Sequence, residues 1–435
     1  MKSIISYSIL LIVLFTAHNT LSQTPVPVKA QDRKIALTGG VAHLGNGQVI
    51  QNSVIGFDKG KLTIVADAST RPDLSGYEEI KIAGKHVYPG FILPNSQLGL
   101  SEVEAIRAMD DADEHGQLNP NVRSIIAYNT DSEFIPTMRY NGILLAETTP
   151  TGGLISGSSS VMELEGWNWE DAAHTVDVAV HLNWPQKIKQ EFDFTTFSFN
   201  ETANKEYEKS VNDLDKFFTD AHSFGKLPAK ERNLKLEAMQ GVFDNKKTLF
   251  LHAENPKEII ESVRFAQKHG VQRIAVVTEI GAFFVADFLK ENKIPVVLTS
   301  THELPDRPDD DVDMNYKLPY LLSTAGVSVS LSHFGMLGRA RNLAFYAGTA
   351  VAYGMNKEEA LKTITSNTAK VLGIDARVGT LEVGKDATLF GSNGDAMDFR
   401  TNILSFAFIR GKSITLPGNQ QELYERYSRK FGHQN

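Results

Sequence analysis

From Lys34 onward, apolar and polar residues follow one another in short runs broken by glycine: Ile35 to Leu37, Val49 to Phe57, Lys61 to Ala66 and Glu79 to Ile82. Runs of this length and period predict β-strands with one buried face, and Asp58, Lys59 and Gly60 sit between two of them as a hairpin turn would. The same grammar returns late in the chain, in Gly379 to Val383, Ala387 to Gly391 and Phe406 to Ile409, with a turn at Gly411 and Lys412. Residues 34–86 and 376–420 are therefore read as the two parts of a small composite β-sandwich. Residues 421–435 follow as a C-terminal helix or tail.

Between these ends the period changes. Thr248 to Ala253 (TLFLHA) precedes Lys257 to Lys268, where Ile259, Val263 and Ala266 fall on one helical face with Ile260 beside them. Arg273 to Thr278 precedes Ala282 to Glu291, Pro295 to Ser300 ends in a polar loop, and Ser328 to Ser332 precedes helices that start near Asn342. Apolar strands buried on both faces, each followed by a helix, predict a parallel sheet closed by βα units. Residues 87–375 have the size of one such (β/α)8 TIM-type barrel, so the fold class is α/β. Within this span, residues 186–246 are rich in Lys, Glu and Phe and read as a helical insertion. The stretch Ser156 to Ser160, in GGLISGSSS, reads as a flexible loop beside a strand, and no nucleophile-elbow spacing occurs there.

The first residues show another pattern: Lys2, then an apolar run from Ile9 to Phe15, then small and polar residues to Ser22. This is the order of a secretory signal peptide over 1–22, with cleavage before Gln23 and a linker over 23–33. The apolar run is too short to cross a bilayer, so the expected product is exported, periplasmic or secreted, with no membrane attachment after cleavage. The chain holds no Cys, so an exported form must be stabilised by its core without disulfides. A net charge of -8 and the lack of a basic stripe speak against nucleic acid as a partner.

Val87 to Gly99 (VYPGFILPNSQLG), Ala360 to Gly373 (ALKTITSNTAKVLG), Gly379 to Leu389 (GTLEVGKDATL) and Phe408 to Lys412 occur in an order that resembles the amidohydrolase superfamily, imidazolonepropionase-like branch. The resemblance implies a metal-assisted hydrolase, in which imidazoles and carboxylates at strand ends hold an ion that acidifies a water. It also implies an Asp-x-His-x-His motif after the Pro-Gly-Phe-Ile entry, and those positions here are Leu93, Asn95 and Gln97. Amide side chains offer a transition metal only a neutral carbonyl oxygen. Of the other ligands the family would supply, His252 matches the one after the fifth strand. The sixth strand ends in Thr278, Glu279 and Ile280, and the eighth in Ser332, His333 and Phe334, where an Asp is expected.

The candidate catalytic residues are thus His252, Glu279 and His302, with His252 as the one candidate metal ligand and at most one divalent metal, Zn or similar. Asn95, Gln97, Arg307, Asp310 and His333 are candidate substrate contacts. Arg307 and Asp310 belong to the loop THELPDRPDDDVD, whose carboxylates would attract a cation or an amine and whose guanidinium would clamp a carboxylate. Two readings of function stand side by side. In one, the chain is an amidohydrolase-superfamily hydrolase acting on a non-peptide C–N bond, such as a cyclic amide or an acyl amino acid, through an atypical metal site. In the other it is a catalytically silent relative that binds a small ligand. The expected partners are a small molecule and a second chain, in a homo-oligomer or with a homologue whose metal ligands are intact.

Overall fold

The computed structural model describes residues 26–432 apart from 104, 194–196, 229–230, 300 and 306–310. The leader expected over 1–22 and the candidates Arg307 and Asp310 lie outside the described residues. Among those described, no helix is long and apolar enough to cross a membrane. Residues 26–33 are extended and tied down: Val28 N–H donates to Glu165 Oε1 at 2.9 Å, and the Gln31 side chain holds Gly60 N–H and the Phe57 carbonyl.

The chain opens with β1 (Lys34–His43), β2 (Val49–Asp58), β3 (Lys61–Asp67), β4 (Tyr77–Lys81) and β5 (His86–Pro89). After the barrel it returns through three strands numbered β16 to β18, Leu389–Ser392, Leu404–Ile409 and Lys412–Ser413. Where a sandwich is expected, all eight strands belong to one hydrogen-bonded sheet, in the order β18-β17-β16-β5-β1-β2-β3 with β4 beside β1. The cause lies in β1. Its first half pairs with β4 and its second with β5, and register shifts around Gly40 bend it between the two. A side chain at Gly40 would meet Ile82 Cδ1 at 2.6 Å, so this close crossing needs glycine. The N- and C-terminal segments join where β5 pairs antiparallel with β16.

Gly90 alone separates β5 from the first barrel strand, β6 (Phe91–Ser96). β7 (Ile143–Thr148), β8 (Ile155–Glu163) and β9 (Ala173–Asn183) follow, then an outlying hairpin, β10 (Ile188–Asp193) with β11 (Ser198–Ala203), and then β12 (Thr248–His252), β13 (Ile274–Thr278), β14 (Val296–Leu298) and β15 (Val329–Leu331). Without the hairpin these strands make an eight-stranded sheet in the order β15-β14-β13-β12-β9-β8-β7-β6. It is nearly closed. Ser332 Oγ donates to the Pro94 carbonyl across the gap, and Thr363 and Ile364 offer carbonyls to Leu331 N–H and Ile92 N–H on the two edges. This is the expected TIM-type barrel with two corrections.

First, β8 runs antiparallel to both neighbours, against the other seven strands. Residues 149–154 are too few for a crossover, which takes a dozen or more, so Pro150, Gly152 and Gly153 turn the chain straight back. Residues 156–160, expected as a flexible loop, are the wholly buried middle of this strand. Second, the insertion after β9 begins as the β10–β11 hairpin, where Phe192 meets Phe197 edge to face, before it becomes helical at Tyr207–Gly225. The helix Pro256–Lys268 forms as its pattern predicts. Asn255 caps it with Pro256 at its start, and Ile259, Val263 and Ala266 are buried.

Barrel and small sheet are joined by a buried ionic knot. Asp386 accepts from Arg377 at 3.0 Å and lies 2.6 Å from Lys61 Nζ and 3.4 Å from His174 Nε2 of β9. These partners hold its carboxyl far below the usual range against the opposing effect of burial. Glu163, at the end of β8, is less well provided for: it is 1% exposed, Arg410 approaches to 3.5 Å, and neither carboxylate oxygen makes a hydrogen bond. Burial pushes its pKa up to about 7.

A pKa raised in the folded state means that the stability tied to Glu163 is fully present below about 4.5 and is lost as pH rises through about 7. Glu163→Gln should therefore stabilise the chain by about 3 kcal/mol at pH 8 and leave it unchanged near pH 4.5. Urea unfolding at the two pH values measures both.

Candidate functional site

Alternate residues of successive barrel strands, Ile92, Leu145, Val161, Ala179, Phe250, Val277 and Val297, form one buried cluster that fills the interior. The period of two then places Glu147, Ser159, His181, His252, Glu279 and Thr299 on the same inner face, one layer nearer the mouth. His181 stacks on Phe250 with ring centroids 4.9 Å apart, which confirms the layering directly.

Four of these side chains, from the adjacent strands β7, β8, β9 and β12, form one hydrogen-bonded chain. Ser159 Oγ donates to Glu147 Oε1 at 2.6 Å, His181 Nε2 lies 2.9 Å from Ser159 Oγ and 3.3 Å from Glu147 Oε1, and His181 Nδ1 lies 3.0 Å from His252 Nε2. The second carboxylate oxygen, Glu147 Oε2, accepts from Asn95 N–H at 2.8 Å. The serine proton is engaged with Glu147, so Ser159 Oγ accepts from His181 Nε2–H, and with His181 in this single-proton tautomer its Nδ1 accepts from His252 Nε2–H. Each donor finds an acceptor in one direction only. Glu147, Ser159 and His181 are sealed from solvent, whereas His252 is half-buried at the open end. Burial, and to a lesser degree the neighbouring His181, lower the pKa of His252 well below the usual imidazole value, so it is neutral at physiological pH.

On the other side of the ring, Glu279 Oε1 accepts from Thr299 Oγ1 at 2.9 Å. A capping role falls to Glu254. Its carboxylate receives Thr278 Oγ1, Glu279 N–H and Gly281 N–H at 2.6 to 2.7 Å and so closes the turn at Ile280–Val285. Gly281 passes so close that an added Cβ would lie 1.8 Å from the Glu254 carbonyl.

Of the remaining candidates, Asn95 adjoins Glu147, while His302 and His333 meet on Tyr346. Asn95 is buried in the left-handed region at φ 49°, and its Oδ1 has no hydrogen-bond partner; Gln97 is half-buried two residues on. His333, after β15, bonds through Nδ1 to Tyr346 Oη at 3.1 Å, while its buried Nε2 has no partner. His302 turns outward: Nε2 meets Thr349 Oγ1 at 2.7 Å, and the ring sits edge-on to Tyr346. His302 bonds to Thr349, while His252 bonds to His181 and Glu279 to Thr299. The residues of the site that the sequence analysis missed are Glu147, Ser159 and His181. A signal for them existed, since LLAETT and VAVHLN are apolar runs that end in a titratable inward position.

The fold family implies a metal, and the donor set can be tested for one. His181 Nδ1 and His252 Nε2 converge to 3.0 Å, but a zinc site takes at least three protein ligands. No group of three or more His, Cys, Asp or Glu able to hold an ion occurs among the described residues. Asn95 and Gln97 stand where the first two imidazoles would be, and the Asn95 N–H is committed to Glu147. The residues present do not fit the metal centre.

The hydrogen-bonded chain has a measurable stability. Glu147→Ala would leave Asn95 N–H, Ser159 and His181 without their acceptor and should cost about 2–4 kcal/mol in urea unfolding. Ser159→Ala should cost less in that background than alone, because the two share one network.

Comparison with known proteins gives this architecture its context. Residues 236–408 match the amidohydrolase family. Imidazolonepropionase from Shewanella frigidimarina (strain NCIMB 400) is 27% identical over 167 residues, 37% of this chain and 35% of that protein, so the match spans about a third of the relative's length. Among solved structures, an amidohydrolase from Thermotoga maritima MSB8 superposes with a TM-score of 0.75 at 20% identity, covering 88% of this chain and 99% of that one. A prolidase complexed with N-methylphosphonate-L-proline gives 0.54 at 15% identity over 88% of this chain and 99% of its own. These structural likenesses speak for the fold. Joined to the sequence match over residues 236–408, they show a chain similar to the amidohydrolase superfamily, with a partial sequence likeness to its imidazolonepropionase-like branch.

Proposed function

We propose that this chain uses the amidohydrolase barrel to bind a small polar molecule and does not carry out metal-dependent hydrolysis. The observation that carries the reading is the inner ring itself. Of the two converging imidazoles, His181 is held by Ser159 and Glu147 and His252 by His181, and the pair lacks a third ligand, while the strand ends around them are rich in unpaired polar atoms. Asn95 Oδ1, Thr149 Oγ1, Thr301 Oγ1 and His333 Nε2 are buried at or just beyond the ends of β6, β7, β14 and β15 without a hydrogen-bond partner. Buried polar atoms are nearly always paired, and a ring of them at the catalytic end of a barrel calls for a ligand or ordered water. Hydroxyls, an amide oxygen and neutral imidazoles suit a ligand with several hydrogen-bonding groups.

The second reading, a hydrolase of carbon–nitrogen bonds other than peptide bonds, draws on the superfamily and on the approach of His181 to His252. Under it, two imidazoles would hold one ion with a carboxylate such as Glu279 brought in by a shift of its loop. Export from the cytoplasm is part of the proposal in either case, and rests on the pattern of residues 1–22.

Metal content separates the two. Purified protein should hold no stoichiometric Zn, Mn or Fe by elemental analysis, and added Zn should leave its melting temperature unchanged. Stoichiometric metal, or a melting temperature that rises with Zn together with turnover of an N-acyl amino acid or a cyclic amide, supports the hydrolase instead.

A further inference from the structure

The loops that follow the barrel strands expose an apolar surface. Ile106 lies on the loop after β6, Phe284 after β13, Leu304 and Val312 after β14, and Phe334 and Met336 after β15. Leu304 is 76% exposed and Phe284 67%. A large apolar surface at one end of a protein marks an interaction site. Its charge is acidic on balance: Glu102, Asp110, Asp111, Asp113 and Glu114 outnumber Arg107 and Arg123 on the first loop, and Glu303, Asp311 and Asp313 on the loop after β14 outnumber Arg339 and Arg341 after β15.

The opposite character appears in the helix Asn419–Phe431. None of its residues is buried. Tyr424, Tyr427 and Phe431, spaced to share one face, are 60%, 51% and 65% exposed. From Arg426 to Phe431 it carries Arg426, Arg429 and Lys430 and no acid. A 13-residue helix is marginal in water without a surface to pack on, since isolated helices below ~12–15 residues are barely stable.

The two surfaces complement each other in sign and in apolar character, and they are neighbours. Gln420 Oε1 accepts from Arg341 Nη1 at 3.1 Å, and Arg341 lies in the turn that follows Met336 after β15. When two complementary patches lie side by side on one molecule, a two-fold axis can satisfy both at once, and the assembly closes at two copies.

We propose that the chain forms a two-fold dimer in which the C-terminal helix of each copy covers the barrel mouth of the other. Six aromatic rings from the two helices enter the interface, with the basic half of each helix over the acidic loops. An anionic membrane is disfavoured as the occupant, because the acidic loops would be pressed against it. The inference does not rest on the ligand-binding reading, and dimerisation is measured without any ligand.

The absence of Cys makes the test direct, because any introduced pair is the only one present. Tyr427→Cys chains mixed with Phe284→Cys chains should give a disulfide-linked heterodimer on mild oxidation, whereas Val383→Cys, exposed beside the small sheet, should not link to Tyr427→Cys. In sedimentation equilibrium from about 1 to about 100 µM, the full chain should dimerise, and Tyr427→Ser/Phe431→Ser and Phe284→Ser/Leu304→Ser should each weaken the dimer at least tenfold with unchanged thermal melts. Mixing the two double variants should restore a weaker heterodimer, since one intact helix then meets one intact mouth. A wild-type chain that stays monomeric throughout overturns the proposal. So does a dimer indifferent to both variants, a helix that binds lipid vesicles in place of its own mouth, or a cross-link that forms equally well with Val383→Cys.

Discussion

Within the barrel, everything turns on how a carboxylate, Glu147, is kept in a place with no access to water. A buried carboxylate is costly unless each oxygen is hydrogen-bonded, and here one oxygen takes the Asn95 backbone while the other takes Ser159 with His181 beside it. That demand runs from strand to strand. Ser159 must accept from His181, and His181 from His252, so four neighbouring strands are locked in register by one directional chain of protons. His252, which the sequence resemblance would make a metal ligand, is tied into this chain through His181.

The reversed strand makes this possible. Because β8 runs antiparallel, Ser159 reaches the polar layer between Glu147 and His181, and Glu163, four residues on along the same inner face, arrives at the far end against the small sheet. There Asp386 gathers Lys61, Arg377 and His174 and binds the barrel to the sheet built from both ends of the chain. One strand thus contributes to the polar layer at one end and to the domain junction at the other.

Much of the architecture was legible from residues alone. The helix Pro256–Lys268 follows from Ile259, Val263 and Ala266, and the ends of β12 to β15 from apolar runs of the right length. The replacement of metal ligands by Asn95 and Gln97 was equally visible, because an amide is no imidazole. Less could be read between 143 and 183. Gly157 and four serines between 156 and 160 mimic a loop, and only tertiary burial makes them a strand. Missing that strand hid the inward positions of Glu147 and His181, and with them the site. The direction of His302 was not legible for another reason, since a loop residue's direction depends on its neighbours, here Tyr346 and Thr349.

The central claim, that the two facing histidines form part of a fixed hydrogen-bonded chain and do not make a metal pocket, is open to one direct measurement. Ring-nitrogen NMR of His181 and His252 reports tautomer and metal binding together. The account predicts the Nε2–H tautomer for both rings near neutral pH, with His252 still neutral well below the usual imidazole pKa and neither ring perturbed by an equivalent of Zn. Loss of the shared proton and a shift of both facing nitrogens on adding Zn would contradict it.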